Sequence, residues 1–449
     1  MNVLANIKQK ALDADLLIRN SDEKKYASEH GLSIKRLDNG AKILAVQRKV
    51  SDSRQSTVSF HINSGGHFDP RGYEGAHHFL EHLFFTQKLR NLYQKHLIEA
   101  NAYTSQEKIV FFNRGGYNST VKEFGLDNVL RDSMDSLIYP STLDNKEGFQ
   151  FSKEVILREI DEFYADYRRY MFDELYKLTL TEDNPFYNSA LGYRGSVGRT
   201  TPQIVEKVLN QQISTKNMIA TVYAEGIGKE SEDLSKTVNR LLENFPRTHD
   251  VKAIDWEDAA KTKPLLFGKT VRHSVPLPSN IVSINYVWMI PIEFLSQDDI
   301  VMRLLGPFLS ELFSIEGREK GLGYSLYFYP RYFFPEKMMI TASVLCPVEE
   351  LGKTRERMEE VVKTTLKRPL EDIKLFDELL GTEKSRQMVE PISSGRRLDA
   401  SFETIQWFDL LFNSEKMREL FLSVQIKDLQ SLQQKLVDQE PAVFILGNL

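Results

Sequence analysis

Between Gly75 and Phe85 the chain reads GAHHFLEHLFF. A helix turns about 100° per residue, so this stretch gathers Ala76, Phe79, Leu80, Leu83 and Phe84 on one side. His78, Glu81 and His82 gather on the other. Elsewhere the pattern changes period. Leu32 to Arg48, LSIKRLDNGAKILAVQR, alternates on both sides of Asp38, Asn39 and Gly40, which predicts a hairpin because Asn-Gly supplies positive φ at low cost. A strand is predicted from Ser56 to Asn63, and LIEANAYTSQEKIVFFN, from Leu97 to Asn113, alternates into a strand after Ser105, with Asn101 and Ala102 at a strand or its edge. Lys153 to Tyr170 has helical period: Val155, Ile156, Ile160, Phe163, Tyr164 and Tyr167 form its apolar stripe, with Glu154, Arg158, Asp161 and Glu162 opposite. Glu159 breaks that division. It falls between Val155 and Phe163, at the edge of the stripe, where a carboxylate needs positive charge beside it, either a metal ion or a lysine, an arginine or a helix N-terminus.

The pattern also repeats. VEKVLNQQI followed by MIATVYA, near Thr201 to Gly226, is a helix and then an apolar strand; Gln425 to Gly447, QIKDLQSLQQKLVDQEPAVFILG, repeats the arrangement about 223 residues later. FLSELF at Phe308 to Phe313 resembles FLEHLF at Phe79 to Phe84, with Ser310 in place of Glu81 and Glu311 in place of His82, and IVSINYVWMIP resembles STVSFHINSGG. Duplication is the economical explanation. It predicts an α+β chain of two homologous domains, each a mixed, mostly antiparallel sheet with helices packed on it, the second lacking the metal ligands. The polar stretch 247–264 is the expected linker, dividing a domain over 1–246 from one over 265–449.

Composition narrows the function. A formal net charge of −5 with 27 % charged residues gives no basic surface for nucleic acid. The first thirty residues mix both charges around no apolar core, and no apolar run approaches the length of a membrane span. The expected setting is cytoplasmic, with no membrane partner. Cys346 is the single cysteine, so a metal site would draw on histidine and carboxylate.

The chemistry concentrates at His78, Glu81 and His82. Imidazoles at i and i+4 reach one tetrahedral ion, as zinc prefers, and Glu81 stands close enough to take a proton from water there. The alternative is a solvated His/Glu face on an amphipathic helix. His77, just off the polar face, reads as an ordinary surface histidine or one that supports the site from behind.

The H-x-x-E-H order, reversed from H-E-x-x-H, resembles the pitrilysin (insulinase) family of zinc metallopeptidases, and the resemblance runs over nearly the full chain. It implies zinc bound by His78, His82 and a Glu on a V-I-x-R-E helix. VILRE at Val155 to Glu159 matches, placing Glu159 77 residues after His82. Glu81 would be the catalytic base. NAYTS resembles the family's substrate-binding edge strand, which makes Asn101 and Ala102 substrate contacts. REKGLGYS at Arg318 to Ser325 resembles the Arg and Tyr motif that reaches the substrate, which carries over to Arg318 and Tyr324, here six residues apart where many members have seven. Where members often have a second Glu, seven residues before the ligand, this chain has Ser152. The implied protein is a zinc endopeptidase that hydrolyses unfolded peptides or trims a peptide precursor in a chamber built by two subunits, as a homodimer or with a related subunit. The competing expectation is a non-catalytic scaffold or partner subunit of such a complex.

Overall fold

The structure, a computed structural model, describes residues 3–48, 55–84, 98–116, 126–225, 229–254, 263, 267–275, 280–322, 326–333, 336–370, 376–389 and 394–447. In the first half the strands are β1 (Leu32–Arg36), β2 (Lys42–Arg48), β3 (Gln55–Ile62), β4 (Glu99–Thr104), β5 (Ile109–Gly116) and β6 (Met218–Glu225). The second half contributes β7 (Thr270–Ser274), β8 (Ile281–Ile290), β9 (Leu326–Phe333), β10 (Lys337–Pro347) and β11 (Ala442–Gly447). One sheet runs β1, β2, β6, β3, β5, β4 and the other β7, β11, β8, β10, β9. In each sheet one pair is parallel, β2 with β6 and β7 with β11, and the other pairings are antiparallel. Without β1 the two orders match strand for strand. The resemblance of STVSFHINSGG to IVSINYVWMIP is therefore that of β3 to β8, strands in the same place of two related sheets. The α+β duplication read from the sequence is present.

The Asn-Gly hairpin forms as expected, with Leu32 opposite Val46, Arg36 opposite Lys42, and Gly40 at φ +93°. Two elements differ from the sequence reading. The stretch 99–116 is a hairpin of two strands, with β4 already paired before Ser105 and lying at the sheet edge. The turn is closed by backbone and hydroxyl contacts between Ser105 and Lys108, a signal that alternation does not carry. The helix expected from Lys153 starts earlier and stops sooner, at Lys146–Ala165. Asn145 caps its start by accepting from the backbone N–H groups of Glu147 (3.1 Å) and Gly148 (3.0 Å). A break at Asp166 ends it and Tyr167–Thr179 continues as a separate helix.

The helices that matter for the site are α1 (Val3–Asp13), α2 (Ala76–Phe84), α3 (Lys146–Ala165), α4 (Tyr167–Thr179), α5 (Pro202–Gln212), α6 (Gln297–Glu319), α7 (Ser394–Phe408) and α8 (Ile426–Asp438). Helix α2, with Phe79, Leu80 and Leu83 fully buried, packs into the core of the first sheet beside Phe60, Ile62 and Ile109. The second sheet is covered on both faces. Tyr286, Trp288 and Ile290 of β8 face a core with α6 and α8, while Val287 and Met289 face Leu175 and Tyr176 of α4. The halves interlock: Ile7 and Ala11 of α1 join the second core, and Phe402 and Ile405 of α7 pack on Leu44 and Ile219 of the first sheet. The predicted linker begins firmly attached, since Arg247 donates to the carbonyls of Leu137 and Ile138 (both 2.7 Å) and Ile213 (2.8 Å). Residues 255–262 and 264 of that stretch lie outside the described residues. Among the described residues no helix is long and apolar enough to cross a membrane.

Candidate metal centre

Two helices have to meet for the site to exist, and aromatic packing brings them together. Phe79 of α2 stacks on Phe149 of α3 with ring centroids 4.5 Å apart. Farther along α3, Glu159 then reaches the polar side of α2. Its Oε2 lies 3.1 Å from His82 Nε2 and 3.4 Å from His78 Nε2, and the two Nε2 atoms are 3.1 Å apart. A tetrahedral ion with ligand bonds of about 2.0 to 2.1 Å has ligand-to-ligand edges of about 3.3 Å. The three atoms thus form one face of such a tetrahedron, with two nitrogens and one oxygen, a donor set zinc takes. Among the described residues this is the only group of three such side chains close enough to share an ion.

The electrostatics suit a cation. Burial acts to raise the Glu159 carboxyl, but hydrogen bonds and charge from His78 and His82 outweigh it and hold the group well below the usual carboxylate range. For His78 burial acts downward, and is outweighed by the hydrogen bond to Glu159, the charges of Glu81 and Glu159 and the Leu191 carbonyl, so its pKa rises. Two carboxylates around two imidazoles favour positive charge at their centre, whether protons or a metal. The site opens on the Glu159 side, where the side chain is 42 % exposed, while His78 and Glu81 are buried.

Glu81 points toward the edge strand. Thr104 Oγ1, the last residue of β4, donates to Glu81 Oε2 at 2.7 Å. Asn101 and Ala102 sit on the same strand, and Asn101 Oδ1 accepts from the Ala102 N–H at 2.9 Å. Arg318 occupies the exposed last turn of α6, outside both the groups that set the Glu159 and His78 pKa values and the cavity that adjoins them. Tyr324 lies outside the described residues.

His77 is not a surface residue. It is fully buried, its Nδ1 2.6 Å from Asp69 Oδ1 and its Nε2 2.8 Å from Ser64 Oγ. The carboxylate can only accept, so Nδ1 carries the proton. Asp69 also accepts from the backbone N–H groups of Gly75 (2.6 Å) and His77 (2.8 Å), capping the start of α2 from the preceding loop. The helical wheel misplaces His77 because α2 is enclosed on nearly all sides. Gly75, at φ +94°, completes the enclosure: a Cβ there would lie 2.6 Å from the Leu191 carbonyl oxygen, and this close approach brings that carbonyl beside His78. Asp69, Ser64, Thr104 and Leu191 escaped the sequence reading. Only Thr104, inside NAYTS, carried a signal.

Residues 45–190 match the family model described as Insulinase (Peptidase family M16). The chain is 26 % identical over 228 residues to the mitochondrial-processing peptidase subunit beta of Neurospora crassa, covering 49 % of this chain and 45 % of that protein. It is 24 % identical over 225 residues to cytochrome b-c1 complex subunit 1 of Mus musculus, covering 49 % and 44 %. The chain thus spans less than half the length of these curated relatives. Among solved structures, a protease from Helicobacter pylori superposes with a TM-score of 0.73 at 17 % identity, covering 92 % of this chain and 99 % of that one. A peptidase M16 inactive domain from Pseudomonas fluorescens gives 0.71 at 13 % identity, covering 93 % and 98 %. These two establish likeness of fold. Fold, motif and family model thus agree in one likeness, to the insulinase (M16) family of peptidases and peptidase-like subunits, which the family model carries over residues 45–190.

Proposed function

We propose that the chain is a zinc-dependent endopeptidase acting on unfolded peptides, either to degrade them or to trim a precursor. The observation that carries this reading is the triangle of His78, His82 and Glu159 with Glu81 beside it. Zinc held by those three side chains supplies a Lewis acid that polarises a peptide carbonyl and acidifies water. Glu81 is the base. Thr104 occupies its Oε2, which leaves Oε1 to accept a proton from the attacking water and return it to the departing amine. The peptide adds as a strand along β4, displacing Asn101 Oδ1 from the Ala102 N–H and pairing with the edge through main-chain hydrogen bonds. Tyr324, with Arg318, hydrogen-bonds the substrate carbonyl from across the chamber. A second subunit, identical or related, closes that chamber.

The alternative is a non-catalytic partner, favoured by the likeness to cytochrome b-c1 complex subunit 1. Retention of all four side chains in working geometry supports catalysis. Bound zinc and cleavage of an unstructured peptide, measured for the wild type, Glu81→Gln and His82→Ala, separate the two. The proposal expects Glu81→Gln to keep the metal and lose turnover, and His82→Ala to lose both. Cleavage by Glu81→Gln at the wild-type rate overturns it.

A further inference from the structure

Where the turn between β4 and β5 meets the second half of the chain lies a polar cavity of about 350 Å³, within the range of small-ligand pockets. None of His78, Glu81, His82 and Glu159 lines it. Its walls are of two kinds. Phe294, just before α6, and Trp407 of α7 meet edge to face with ring centroids 5.1 Å apart, and Phe186 gives the cavity a third aromatic side. The rest is charged: Glu107 and Lys108 of the turn, Arg303 of α6, Arg331 of β9 and Glu403 of α7. Arg303 is already neutralised, since it donates to the two Asp299 carboxylate oxygens at 2.9 and 3.1 Å. Two carboxylates and two cations remain, with no net charge between them. Among the described residues Glu107 makes no ion pair, and neither does Lys108 nor Arg331, whose guanidinium hydrogen-bonds the Tyr176 hydroxyl instead. Burial pushes the Glu107 carboxyl up; Lys108 and Arg331 oppose this and Glu403 adds to it, so these groups lie within reach of one another's charge.

Opposite charges half-enclosed without pairing are poorly solvated. A ligand with one charge satisfies one set and is repelled by the other, whereas a ligand with both satisfies both. We propose that this cavity binds a zwitterion with a large apolar side chain, a free aromatic amino acid or a dipeptide, with its ammonium on Glu107, its carboxylate on Lys108 and Arg331, and its ring against Phe186, Phe294 and Trp407. The site goes beyond the peptidase reading and does not depend on it, although peptide hydrolysis makes ligands of this class. Its position links it to the metal centre. The carbonyls of Ser105 and Gln106 accept from the N–H groups of Gly66 (2.9 Å) and His67 (3.0 Å), on the loop that leads to α2, and Thr104, next to the turn, holds Glu81. A bound ligand therefore bridges that turn to α6, α7 and β9 of the second half.

The test is isothermal titration calorimetry of the full chain, zinc-loaded and zinc-free, with phenylalanine, N-acetylphenylalanine, phenylalanine amide and alanine, and of the Glu81→Gln chain with the same set and a dipeptide of two phenylalanines. Phenylalanine or the dipeptide should bind tightest, and each blocked form and alanine should bind about tenfold or more weakly. Whichever of the two zwitterions binds more tightly identifies the source of the ligand. Glu107→Gln should erase the difference between phenylalanine and its N-acetyl form, and Glu107→Lys, which turns the ammonium site into a second cation, should reverse it. Phenylalanine should bind Glu81→Gln as it binds the wild type, so the assignment stands or falls apart from cleavage. No binding of either zwitterion, a blocked form binding as well as phenylalanine, an order unmoved by both Glu107 variants, or binding that vanishes when zinc is removed, which would place the ligand on the metal, overturns it.

Discussion

Replacing His77 by Leu puts the buried support of α2 to the test. The substitution removes the bond from Nδ1 to Asp69, a hydrogen bond to a charged group worth about 1.5 to 3 kcal/mol. It also takes from Ser64 its 2.8 Å partner, leaving a fully buried hydroxyl with a 3.4 Å contact to Gln212 Oε1, at a cost of about 1 to 3 kcal/mol. Asp69 keeps its two backbone N–H donors, so the carboxylate is weakened rather than stranded. The sum is about 2.5 to 6 kcal/mol, which in a unit the size of the first half lowers its melting temperature by on the order of 10 °C. Differential scanning calorimetry of the apo chain reads this. The pair His77→Leu with Ser64→Ala should recover about 1 kcal/mol or more, since the hydroxyl left without its partner is gone. A His77→Leu chain melting within 2 °C of the wild type, or strict additivity of the two substitutions, would refute the account of this network.

Three further outcomes follow from the same geometry. Thr104→Val removes the 2.7 Å bond that holds Glu81, so kcat should fall about tenfold with zinc affinity unchanged, and Thr104→Ser should restore most of it. Gly75→Ala forces a Cβ against the Leu191 carbonyl at a positive φ, costing at least about 2 kcal/mol and weakening zinc binding together with stability, as calorimetry and metal titration would show. Burial, with the nearby Lys108 charge, pulls the His61 imidazole from 6.5 down to about 3. The unfolded chain takes up that proton below about pH 6.5 and the folded chain resists it, so this contribution to stability is intact above pH 6.5 and is lost as the pH falls toward 3, at up to about 1.4 kcal/mol per unit. His61→Phe, which keeps a ring against Phe402, should flatten the decline in melting temperature between pH 6.5 and 4.

Much of the site was legible because its signals are local. The spacing of His78 and His82 follows from helical period, and Glu159 stood out as a carboxylate inside an apolar stripe. The hairpin at Gly40 announced itself through turn chemistry. The matched strand orders were legible as repeated helix and strand pairs. What stayed hidden depends on contacts between distant segments. The burial of His77 comes from Asp69 and Ser64 on the preceding loop, which no period encodes. The start of α3 is set by Asn145, ten residues before Val155, the first residue of the apolar stripe. Exchange of α1 and α7 between the halves, and the cavity that the 105–108 turn and α7 enclose, arise only once both sheets are built.

The central claim is that a carboxylate from α3 completes a metal site begun by two imidazoles of α2. Zinc titration of the apo chain against a competing chelator, for the wild type and Glu159→Gln, tests it most directly. The account predicts one zinc per wild-type chain and an affinity weakened by more than about a hundredfold in the variant, beyond the loss typical of a supporting residue. Equal affinity in the two chains would contradict it.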